Sequence, residues 1–232
     1  MGLATALFFV LLALIVHTMV YAVSRLPFKL RIHASLGIPR APFKVGGIAQ
    51  EMWRGLQGTL DFWVALLIAV IGTLYRLFGR APEPEAFPML SLFVGIAMST
   101  VAQRMLRLDE GRALLRYRLL PIAGWKLLVT LDMTFLIPLA VMVSILSLRT
   151  GVAFGLVAIA VGRYPSLRQP ANQHRWRFVG GDPRFGVAQL LLGGFAGAGA
   201  ARTGLWVLAV AFAVYLVSIF WGEMLWKRSL AA

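Results

Sequence analysis

Long uncharged apolar runs, rather than short alternating ones, set the rhythm of this chain. Residues 2–24 contain no formal charge, which is enough helix to cross about 30 Å of hydrocarbon. No Lys or Arg precedes the run, and it exceeds a typical signal core, so the pattern predicts a retained helix rather than a cleaved leader. Further runs at 58–75, 87–103, 127–148, 186–201 and 204–222 predict helices of membrane-spanning type. Asp61 lies near the start of the first of these, and Asp132 and Pro138 lie within the third. The run 151–162 is short for a span, so a tilted helix, a re-entrant segment or half of a hairpin are all open. Together they predict an all-α integral membrane protein with about seven transmembrane helices.

Basic residues decide the orientation. Segments 25–57, 104–126, 163–185 and 223–232 fall on one side under strict alternation, and they hold 19 of the 23 Lys and Arg. Only Arg76, Arg80, Arg149 and Arg202 fall on the other side. That asymmetry is the positive-inside signature, and it predicts an outside N-terminus and a cytoplasmic C-terminus. It also requires 151–162 to cross, because otherwise the basic segment 163–185 would lie outside. The predicted organisation is an N-terminal transmembrane helix (1–24), a basic cytoplasmic connector (25–57) and a six-helix membrane bundle (58–232).

Composition agrees. Hydrophobic residues make up 59% of the 232 positions and charged residues 14%, against about 45–50% and 25% in soluble domains. Mean hydropathy is +0.79. The net charge of +14 would otherwise point to nucleic acid, but its placement makes it a property of topology and excludes that partner. Membrane lipids are the expected surroundings. Trp53, Trp125, Trp206, Trp221 and Trp226 fall at or just beyond span ends, where amphipathic rings favour the interface. With no cysteine, thiol chemistry and cysteine-ligated metals are excluded.

Candidate chemistry is sparse. Walker A, G-x-S-x-G and H-E-x-x-H motifs are missing, and no metal site or catalytic residue is expected. Asp132 is costly inside a span, at roughly 2.5–3.5 kcal/mol. It either contacts a substrate or proton or, as its place five residues into the run favours, sits partly hydrated near Lys126. Asp61 lies closer still to an interface. His17, alone on an apolar helix, is expected to hydrogen-bond to a neighbouring helix. Gly193 and Gly197, four residues apart, predict a close helix–helix approach.

Segment 104–126 is the most informative. It carries Asp109, Glu110, Arg112, Arg116 and Arg118, with Met105, Leu108, Leu115 and Leu119 as a rough helical stripe, broken by Pro121 and Gly124. This pattern predicts a helix continuing out of the membrane, a turn, and a short helix across the cytoplasmic face. The run from Asp109-Glu110-Gly111-Arg112 through Leu119-Leu120-Pro121-Ile122-Ala123-Gly124-Trp125-Lys126-Leu127-Leu128 resembles the cytoplasmic connection of ABC-2-type transporter permeases. The basic stretch 161–178 is similar to one in some bacterial members. The resemblance implies a six-helix bundle over 58–222, preceded by an added helix, in a bacterial inner membrane. It further implies that Asp109, Glu110, Arg112, Arg116, Leu120, Pro121, Ile122 and Trp125 dock a separate ATP-binding-cassette ATPase. ATP would be bound there and not on this chain, which would itself be no enzyme and carry no cofactor. A second permease copy or homologue would complete the transporter. The chain is short for that family, and 201–204 leaves little room for the extracellular segment often found between the last two spans. A non-catalytic scaffold subunit, and less readily an enzyme acting on lipid phosphates, fit the same composition.

Overall fold

The computed structural model describes residues 46–107, 123–168 and 178–231, and these are helical apart from short connections. Helix α1 (Gly46–Gln57) precedes α2 (Leu60–Phe78) and α3 (Ala86–Ala102), which is followed by a 3-10 turn at Met105–Arg107. The helical stretch Gly124–Arg168 is broken at Ser147, whose φ of −151° and ψ of 92° are extended backbone. It folds back there. A Cβ on Gly151 would collide with Val143, and one on Gly155 would meet Leu136 at 3.3 Å. Residues 19 apart along one straight helix would be about 28 Å apart, so the stretch is an antiparallel hairpin of two limbs, α4 (124–146) and α5 (148–168). Helices α6 (Pro183–Thr203) and α7 (Leu205–Ala231) complete the fold.

The expected short run at 151–162 is therefore the middle of a 21-residue limb, about 31 Å long. It is also the centre of the bundle. Ala153, Phe154, Leu156, Val157, Ala158 and Ile159 are all buried, with α3, α4 and α6 packed around them. Glycines let these helices close in. A Cβ on Gly95 of α3 or Gly193 of α6 would strike the Phe154 ring, so that ring is clasped from both sides. On Gly162 of α5 a Cβ would lie 2.8 Å from the Ala102 backbone.

Helices α6 and α7 are joined through one residue. Gly204 has φ +74° and ψ −127°, a region that side chains with a Cβ rarely enter. Opposite this end, Thr59 splices α1 to α2: its hydroxyl donates to the Leu56 carbonyl at 2.7 Å and accepts the Phe62 N–H. Residues 46–57, expected as part of a basic connector, thus form a helix of their own.

Leu60–Phe78, Gly124–Leu167 and Leu205–Lys227 are long and apolar enough to cross a membrane. Their outer faces carry what water does not tolerate. On α7, Trp206, Val210, Phe212, Val217, Phe220 and Trp221 are exposed, a contiguous apolar face far beyond what soluble monomers display. Such a surface identifies an integral membrane protein with hydrocarbon as the missing solvent.

Candidate functional site

Polar side chains inside the bundle gather toward one end, where α3 and α5 finish and α2, α4 and α6 begin. Here Asp132 of α4 meets Arg163 of α5, Nη2 to Oδ2 at 2.6 Å, with both side chains nearly sealed from outside. Arg163 Nε donates to Ser218 Oγ of α7 at 3.2 Å, and its guanidinium lies 5.9 Å from the Tyr215 ring centroid. Gly222 makes room for the arginine stem, since a Cβ there would fall 2.5 Å from Arg163 Cδ. Three helices are thereby tied by one neutralised pair. Asp132 is not the partly hydrated interfacial carboxylate that its sequence position favoured. The hairpin brings Arg163 across, and the surrounding helices leave room for no more than a single water.

A second polar layer spans α2, α3 and α6. The Asp61 carboxylate accepts from the Thr100 hydroxyl and from the Val179 backbone N–H, the latter at 2.7 Å. Gln103 donates to Gln189 Oε1 at 2.7 Å and accepts the Asp182 N–H at 2.8 Å, while Gln189 donates to the Ala158 carbonyl at 2.7 Å. Both glutamines are fully buried, and every one of these bonds replaces a backbone or amide partner that lipid could not supply. The backbone at 179–182, just ahead of α6, is consequently pinned to α2 and α3. Replacing Gln103 with leucine should cost about 1–3 kcal/mol, because it orphans the Gln189 oxygen and the Asp182 N–H. Limited proteolysis around residues 178–182 should accelerate in that variant, and unchanged cleavage would count against the pinning.

Segment 104–107 departs from expectation. Rather than continuing outward as a helix, the chain turns after Ala102 and tucks back. Met105 and Leu106 are buried, and the Leu106 N–H donates to Ser166 Oγ at 3.0 Å. The apolar pair gains more inside the bundle than on headgroups. Trp125, at the start of α4, is about half exposed, and Lys126 stands 5.6 Å from its ring centroid. Asp109, Glu110, Arg112, Arg116, Leu120, Pro121 and Ile122, like His17, lie outside the described residues. Gly193 and Gly197 face inward, the first against Phe154 and the second against Leu92 and the Thr150 carbonyl.

The structure therefore joins Asp132 to a partner that sequence reading did not pair with it, and keeps Asp61 in a separate layer. Gln103, Gln189, Ser166 and Ser218 were not singled out by the sequence reading. Their one available signal is polarity within or at the edge of apolar runs. Beside Asp132, Arg163 and Ser166 lies a cavity of about 10 Å³, room for a single water molecule. The two charges offset one another in a nearly sealed interior, with the side chains of Ser166, Ser218 and Tyr215 as their polar surroundings. At the far end Arg76 caps α4, donating to the Ile145 carbonyl and, at 2.8 Å, to that of Leu146, as a basic side chain at a helix C-terminus should. Comparison with known proteins finds no matching family, no matching curated protein and no matching solved structure.

Proposed function

We propose that this chain is the membrane-spanning permease subunit of an ABC-2-like transporter, driven by ATP hydrolysis on a separate subunit. What supports the reading is where the resembling residues fall in the sequence, between α3 and α4, the second and third of six antiparallel helices. The adjoining ends of those two helices lie at the polar end, where α2 also begins and α7 finishes. That end carries the basic segments, so it faces the cytoplasm. With residues 2–24 as an added span, the chain crosses seven times, N-terminus outside, in a bacterial inner membrane.

The closed interior supports one form of this mechanism. At the buried pair the bundle has space for one water, so a substrate passes between two bundles rather than through one. A second copy or a homologue supplies the other wall. Movement of the ATPase at residues 109–125 is passed to α3 and α4, and α4 is bound to α5 and α7 through Asp132 and Arg163. A scaffold subunit would also have a closed interior, and one experiment separates the two.

Purification in mild detergent should retain an ATP-binding-cassette ATPase. Leu120→Asp combined with Trp125→Ala should reduce the ATPase activity of the complex about tenfold or release the ATPase altogether, whereas Val217→Ala on the outer face of α7 should do neither. Lack of any co-purifying ATPase, or indifference of its activity to the double variant, would leave the scaffold reading standing.

A further inference from the structure

Helix α2 touches α4 near the far end, where Arg76 caps it and Gly72 packs on Leu146. Toward the polar end the two separate, and α1 bridges the gap. Beneath α1 this leaves a crevice of about 460 Å³ walled by Trp53, Phe62, Leu66, Met133, Ile137 and Val141. That volume falls within the range of small-molecule sites, roughly 300–1,000 Å³. The Trp53 and Phe62 rings meet edge-on at 5.6 Å and make its roof rigid.

The chemistry at the mouth selects the occupant. Lys126 precedes Met133 by seven residues and Ile137 by eleven, so all three share one face of α4 within about 20°. The Lys126 backbone therefore stands about 10 Å from that of Met133 along the helix axis, toward the polar end. Its side chain meets the Trp125 ring, and no carboxylate among the described residues pairs with it. Trp63 lies at the same level and donates to the Gln57 carbonyl at 2.8 Å, as interfacial indoles do. A cation at headgroup depth with a hydrocarbon-lined slot below matches a lipid with a long chain and a phosphate that no cation of its own headgroup offsets.

We propose that the crevice holds one acyl chain of an anionic phospholipid whose phosphate pairs with Lys126. The site needs only a bilayer around the chain, so it stands apart from the transport reading. The test uses nanodiscs containing phosphatidylglycerol with a photoreactive group midway along one acyl chain, or the matching phosphatidylcholine. Peptide mapping should find adducts at Met133, Ile137 or Val141, more with phosphatidylglycerol. Ile137→Trp, which fills the crevice, should reduce them about tenfold while leaving adducts on Phe212 and Phe220 of α7 unchanged. Ile137→Ala should retain them, so a misfolded tryptophan variant does not leave the matter open. Lys126→Gln should abolish the preference between the two lipids. The proposal falls if crevice and α7 are labelled equally, if the preference survives Lys126→Gln, or if Met133, Ile137 and Val141 take no lipid adduct while α7 does.

Discussion

Asp132→Leu should destabilise the protein by roughly 3–5 kcal/mol, because it leaves the Arg163 guanidinium buried without its counter-charge. Arg163→Met should be milder. A lone carboxylate can neutralise itself by taking up a proton, whereas a guanidinium stays charged. The double variant should recover most of the loss, since an apolar pair of similar volume is commonly neutral or better than a buried ion pair. Thermal unfolding in detergent, read by size-exclusion chromatography of heated samples, would rank all three. If the double variant were as unstable as the sum of the singles, the two residues would be acting independently and would not form a coupled ion pair. The same ranking bears on function. Should the double variant fold well yet lose coupling to an ATPase, the pair serves transmission between α4, α5 and α7 rather than stability.

The second large effect belongs to Phe154. Its ring is fully buried and gripped by Gly95 and Gly193, so Phe154→Ala opens a hole that two glycine backbones cannot close. Large-to-alanine changes at aromatic core positions in soluble proteins cost about 3–5 kcal/mol. Inside a bilayer the transfer part shrinks, because the alternative environment of the ring is also hydrocarbon. The lost packing contacts remain, so the lower end, about 3 kcal/mol, is expected. Phe154→Leu should cost less than half as much. A silent Phe154→Ala would mean that α3 and α6 do not close on α5 as described.

Membrane integration was legible from the apolar runs, because hydrocarbon demands long uncharged helices and leaves few alternatives. Where the runs were weakest, the sequence was least informative for an identifiable reason. Segment 151–162 lacks the bulky lipid-facing residues of α7, being surrounded by protein on nearly every side. A central helix needs small residues for close approach more than it needs length of apolar sequence. The reversal at Ser147 was by contrast legible to within two residues, because Arg149 and Thr150 part the runs 127–148 and 151–162 and the charge asymmetry requires the second run to cross back. Residues 104–107 misled in the opposite direction, since a leucine-and-arginine pattern suits a surface helix as well as a segment tucked back into the core.

Site residues divide the same way. Asp132 was visible as an expensive group, and its cost depends only on residue type and depth. Its partner was not visible, because 31 positions separate it from Arg163 and only the hairpin brings them together. Gln103 and Gln189 were invisible for the same reason, each being unremarkable until the other faces it across α3 and α6. What the pattern of apolar and polar positions determined alone was the solvent, the helical class and the side on which charge collects, all consequences of transfer free energy residue by residue. Only the tertiary structure decided which helix lies at the centre and which polar groups meet, because both depend on long-range packing that no local pattern records.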